Sequence, residues 1–157
     1  MFEGRQSLPR TGAALALALT LSFATACGPE RLEKTEADLT AAIAAAAARG
    51  DTATVRLFIE VPFAFDRVYI AGPRTPAATL AAALGDAWDP AYAREIETSD
   101  HFHLLVFDVG GKLYPAALPR RVAEIAPELT GRMYDPATAV FRVVRQPGSA
   151  VPTLLPQ

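Results

Sequence analysis

The spacing of apolar positions changes along the chain, and each change predicts an element. Thr11 to Ala26, TGAALALALTLSFATA, is an uncharged run of 16 residues with no amphipathic period. From Glu30 the period becomes helical: Leu32, Leu39, Ile43 and Ala46 form a narrow stripe along ERLEKTEADLTAAIAAAAARG. Alanine and straight-chain charged residues favour helix there. Glu30, Glu33 and Glu36 suit the positive end of the helix dipole, and Arg49 followed by Gly50 marks the C-terminus. The stripe predicts a helix docked on a sheet. The alternative is a stalk, since about twenty residues at 1.5 Å rise span near 30 Å.

The period then falls to two. Val55, Leu57, Ile59 and Val61 alternate with Arg56, Phe58 and Glu60, which predicts a half-buried strand that ends at Pro62. DRVYIAG predicts a second strand, with Val68 and Ile70 on one face. GPRTPAATLAAALG predicts a short helix with Thr75 as N-cap, Pro76 at its first position, Leu80 and Leu84 as anchors and Gly85 as its stop. A loop with Trp88 follows. Phe102 to Val109 is nearly all apolar, as in a central strand buried on both faces. Gly110-Gly111 is a hairpin turn into a strand from Lys112 to Ala117. RRVAEIA and residues 138–146 supply further strands, and QPGSAVPTLLPQ reads as a flexible Pro-rich tail over residues 147–157. The sum is an α+β fold: one small domain over residues 27–146, with a mainly antiparallel sheet of about five strands and two helices on one face.

Charge and cysteine content change the picture at the N-terminus. Arg5 and Arg10 precede the apolar run, and small residues end it, which is the layout of a secretory signal peptide over residues 1–26. The run falls short of the roughly 20 residues that span a bilayer. Ala24-Thr25-Ala26 directly precedes Cys27, the one cysteine in the sequence. A lone cysteine in an exported protein forms no internal disulfide and is a reactive liability. Ala24-Thr25-Ala26-Cys27 resembles the lipobox of bacterial lipoproteins, with Ala24 where that signal usually has Leu. The resemblance implies acylation of the Cys27 thiol, cleavage after Ala26, and export to a lipid-anchored position in the cell envelope. Gly28 rather than Asp follows the cysteine, which favours the outer membrane where the organism has one. Plain secretion and a retained N-terminal helix are the alternatives. Loss of Arg5, Arg10 and Glu3 takes the net charge from −2 to −3. No basic patch stands out, so nucleic acid is not an expected partner. The expected partners are the membrane, through the acyl chains, and an envelope protein or small ligand.

FDRVYIAGPRTP, residues 65–76, and LLVFDVGGKL, residues 104–113, resemble the signature of a small, uncharacterised group of exported bacterial proteins and lipoproteins. Phe65 stands where the group has Trp, and Arg74 where it has Tyr. The resemblance implies a fold and no activity.

The candidate chemistry is thin. Asp66 precedes a strand, where a short polar side chain commonly satisfies backbone groups; bonding the turn at Thr75, pinning Arg74 or acting as an acid or base are its possible tasks. His101 and His103 in Asp100-His101-Phe102-His103 share one strand face and have the spacing of a metal pair. Asp66, Asp89, Glu97 and Asp100 are the candidate third ligands. No second metal motif, nucleophile elbow, phosphate loop or dinucleotide fingerprint accompanies them, so no metal and no cofactor is assigned. The expected function is a membrane-anchored, non-enzymatic binding or structural role. The alternatives are a metal-dependent or acid/base enzyme built on Asp66, His101 and His103, and a small-ligand sensor.

Overall fold

The computed structural model describes residues 29–50, 53–85, 88 and 90–157, with the side chains of residues 29–33 and 90–93 outside that description. Residues 1–26, expected to be a signal peptide, together with Cys27, Asp89 and the side chains of Leu32 and Tyr92, therefore lie outside the described residues. No helix among those described is long and apolar enough to cross a membrane.

Helix α1, Pro29–Arg49, ends at Gly50, whose φ of 106° suits a residue without a side chain. Its stripe is real: Leu39, Ile43 and Ala46 are buried, so the helix is docked and is no stalk. Strand β1, Thr54–Arg56, follows, and then a one-turn helix α2, Leu57–Glu60, where alternation predicted continued strand. The partner strand explains the difference. β1 pairs antiparallel with β7, Val140–Val144, and the ladder ends at Arg56 opposite Val140. Asp135 to Thr138 is a turn, so Leu57 N–H finds only the Ala139 carbonyl, at 3.0 Å, and nothing beyond it. Leu57 and Val61 still reach the core at i, i+4 spacing, leaving Phe58 and Ile59 exposed.

The remaining elements are β2 (Arg67–Ala71), α3 (Ala77–Leu84), α4 (Pro90–Thr98), β3 (Phe102–Val109), β4 (Lys112–Pro119), β5 (Glu124–Ile125), β6 (Arg132–Tyr134) and β8 (Thr153–Pro156). They form two four-stranded sheets, ordered β1-β7-β8-β5 and β4-β3-β2-β6. All pairs are antiparallel except β5 with β8. The α+β class matches the sequence reading; the five-stranded single sheet with two helices does not. The flexible tail is also corrected. Residues 153–156 form an interior strand, and Leu154 is buried between β7 and β5. Pro152 precedes the strand and Pro156 is its last residue, positions where proline is tolerated.

Strand β3 lies in the middle of the second sheet and is buried on both faces, as its composition predicted. Alternate residues divide between two cores. Leu105 and Phe107 join Val68, Ile70, Ala116 and Leu118 against Phe141, Val143, Ile125 and Leu154 of the other sheet and the stripe of α1. Leu104 and Val106 join Tyr69 and Ala71 on the opposite face, under Leu80 of α3, Ile96 of α4 and Trp88. The helices thus occupy both faces of the β4-β3-β2-β6 sheet. At its far end, Gly110 and Gly111 have φ of 60° and 81°, as a type I′ hairpin requires.

The outer edge of that sheet is β4, where exposed N–H and C=O groups would template another strand. Along an antiparallel edge, alternate residues point these groups outward. Ala117 N–H points outward and donates to Glu36 Oε1 of α1 at 2.8 Å. By the same alternation Pro115 and Pro119 occupy the neighbouring outward positions, where proline has no N–H to leave unmet. Glu36→Ala is expected to cost about 1–3 kcal/mol, since it strands a donor bound to a charged acceptor. Glu36→Gln keeps an acceptor and should cost much less. Urea denaturation of the two variants separates the outcomes.

Candidate functional site

Asp66 and Arg74 are placed by the turns they serve. Asp66 Oδ2 accepts from Gly110 N–H at 2.7 Å, and Asp66 N–H donates to the Asp108 carbonyl at 2.8 Å. Asp108 Oδ1 accepts from Gly111 N–H at 2.9 Å, and its Oδ2 takes Arg67 Nη2 at 2.6 Å. Two carboxylates therefore pin the β3–β4 hairpin, and Asp66 does not bond the turn at Thr75. Thr75 Oγ1 donates to the Gly72 carbonyl at 2.7 Å instead, and Pro76 rather than Thr75 occupies the cap position of α3.

Arg74 has a φ of 58°, the one positive value at a non-glycine position among the described residues. Such a backbone costs energy. Its N–H lies 3.0 Å from the Ile96 carbonyl and 3.1 Å from that of Ser99, so it meets two orphan carbonyls at the end of α4. Its guanidinium pairs with Asp100 Oδ2 at 3.2 Å.

The histidines fall into opposite environments. The side chain of His101 precedes β3 and is 90% exposed, with Nδ1 3.3 Å from Asp100 Oδ1. The side chain of His103, inside β3, is 3% exposed and faces the other sheet, where Nε2 lies 3.3 Å from Glu124 Oε2. Asp66 is at the far end of the same strand: its neighbour Arg67 pairs with Asp108, five residues beyond His103. At about 3.3 Å per residue that separates the groups by roughly 17 Å. The structure brings His101 to Asp100 and His103 to Glu124, and it does not bring Asp66 to either histidine. No group of three or more His, Cys, Asp or Glu among the described residues can hold a metal ion.

What converges instead is a charged cluster around Arg120, which the sequence reading passed over as part of a strand. Arg120 Nε donates to both Glu124 oxygens, at 2.9 and 3.0 Å. Its Nη1 donates to the Asp100 carbonyl at 2.9 Å, and its backbone N–H to that of His101 at 2.9 Å. The guanidinium is thus held at two of its three nitrogens. Asp100, His101, Arg120 and Arg121 line an open cleft of about 370 Å³ at the entry to β3. Arg121 is exposed and has no ion pair among the described residues. The sequence signal was the Arg-Arg pair following Pro119, with a carboxylate four residues on. A second hollow of about 300 Å³, lined by Arg132, Tyr134, Phe141 and Gln157 among others, lies where β6 approaches β7 and β8.

His103 carries a conflict. Ile125 N–H donates to its Nε2 at 3.2 Å, while Glu124 Oε2 faces the same nitrogen. Nδ1 is buried with no partner. A ring with bare Nε2 serves Ile125 but buries an unpaired Nδ1–H. A ring with Nε2–H serves Glu124 and orphans Ile125. Burial dominates and holds the imidazole below its ordinary value near 6.5; the hydrogen bond and charge of Glu124 push the other way, and the charge of Arg120 adds to the lowering. Burial would raise the Glu124 carboxyl, but the hydrogen bonds from Arg120 and His103 outweigh it and hold the group below its ordinary 4.5.

His103 is neutral in the fold and takes a proton more readily once unfolded, so its contribution is full above about 6.5 and is lost as pH falls towards the depressed folded value. Glu124 adds a second loss below about 4.5. Urea midpoints between pH 8 and about 5 should fall in the wild type and stay flatter in His103→Gln. Equal slopes in both would assign the loss elsewhere.

Comparison of the chain with known protein families, curated proteins and solved structures finds no match.

Proposed function

We propose that the protein is a bacterial envelope lipoprotein with a non-enzymatic binding role, anchored at Cys27 once residues 1–26 are removed. The binding part rests on one observation: Arg120 is clamped by Glu124 and the Asp100 carbonyl in an open cleft beside the unpaired Arg121. A preorganised donor edge recognises a ligand without having to be ordered first. The groups an acid/base or metal enzyme would need, Asp66 and the two histidines, stand at opposite ends of β3. The anchored part rests on the Ala24-Thr25-Ala26-Cys27 sequence and on the start of α1 at Pro29, two residues after the cysteine. Acylation there holds the domain against the bilayer with almost no spacer. The outer membrane is the favoured location where the organism has one.

The mass of the protein recovered from its host tests the anchor. A chain starting at Cys27 and heavier than its polypeptide by acyl groups supports it; an unacylated chain overturns it.

A further inference from the structure

We infer that the Arg120–Arg121 cleft binds a phosphate ester. The inference rests on reading the cleft as a binding site and is independent of the anchor.

The charges around the cleft are mostly matched. Arg74 is paired with Asp100, and Arg120 with Glu124. Arg121 is the surplus cation, so the cleft favours an anion. The side chain of Arg120 is 40% exposed, and its bonds to Glu124 and the Asp100 carbonyl use Nε and one hydrogen of Nη1. Nη2 and the second Nη1 hydrogen remain free to donate in a fixed plane. A carboxylate brings one charge on two oxygens in a single plane, which one guanidinium fork neutralises. Two guanidiniums lining one cleft, one of them without a counter-charge, suit a ligand with more oxygens and more charge than a carboxylate. The terminal oxygens of a phosphate ester meet that requirement. Asp100 on the same wall has both oxygens engaged, by Arg74 and His101, which limits its repulsion of an anion. A cleft of about 370 Å³ is large enough for a small phosphorylated molecule or a lipid headgroup. Both sources present the same chemistry.

The test titrates the full protein, in neutral detergent, with glycerol 3-phosphate and with glutarate, by calorimetry. Saturable binding of glycerol 3-phosphate that weakens roughly tenfold or more in Arg121→Gln, with Tm unchanged, is the expected result. Arg121 has no partner among the described residues, so this variant should fold; Arg120→Lys, which keeps the charge and loses the fork, should weaken binding as well. Competition by micelles containing phosphatidylglycerol assigns the phosphate to a lipid headgroup, and lack of competition to a soluble ester. If glutarate binds in an Arg121-dependent way and glycerol 3-phosphate does not, the cleft is a binding site and the phosphate inference is wrong. If neither ligand binds, or binding survives Arg121→Gln, both readings of the cleft fall.

Discussion

Cys27→Ser is expected to move the protein from the detergent phase to the aqueous phase and to remove its acyl mass. The effect should be nearly complete. Each buried methylene contributes about 0.8 kcal/mol, so one acyl chain gives marginal binding, while two or three make anchoring effectively permanent. Nothing in the described fold offers a substitute, because no helix there is long and apolar enough to cross a bilayer. Folding should be untouched. Among the described side chains of α1, burial begins at Thr35, well beyond the cysteine, and the Tm of the variant should match that of the wild type. Wild-type protein that stays aqueous, with an unmodified thiol, would remove the anchor and leave the cleft to be explained in a freely diffusing protein.

Ending the chain at Gly148 is expected to abolish cooperative unfolding. A loose tail could be removed at no cost, but residues 153–156 are β8, which joins β7 to β5. Val143 pairs with Leu154, and Ile125 pairs with the same residue from the other side. Glu124 N–H donates to the Pro152 carbonyl, and Ala126 N–H to that of Leu154, each at 2.9 Å. Truncation strands those donors, uncovers Val143 and Ile125, and detaches the Glu124 segment that clamps Arg120. Losing Leu154 alone, as Leu154→Ala, should cost about 2–5 kcal/mol. Domain stability is about 5–15 kcal/mol, so the whole strand exceeds what the fold can spare. Thermal melts of both variants check this, and a truncated chain that melts like the wild type would refute it.

The parts legible in the sequence were those whose signal is local. Phe102 to Val109 declared a doubly buried strand, Gly110-Gly111 its hairpin, and the stripe of Leu39, Ile43 and Ala46 a docked helix. The parts missed were set by neighbours distant in the chain. Alternation through Val61 cannot reveal that β7 ends at Val140, so the turn of helix at Leu57 was invisible. Thr153–Pro156 reads as coil among prolines until β7 and β5 are placed on either side. The cluster at Arg120 was hidden for the same reason. Glu124, the Asp100 carbonyl and His103 meet only when β5 lies across the start of β3. Asp66 does bond a turn, but the turn is the hairpin at Gly110 rather than the one at Thr75, which only the β2–β3 pairing could reveal.

The closed edge of β4 has a further consequence. Molecules tethered to a bilayer share a thin layer and a common orientation, so they meet at high lateral concentration. A free strand edge in that layer would invite side-by-side polymerisation, with each sheet extending the next. Pro115, Pro119 and the Ala117–Glu36 bond remove three of the outward donors such a ladder would use. If the proposed anchor holds, crowding at a surface is met at this edge within β4 and α1, which resist the joining of sheets through β4.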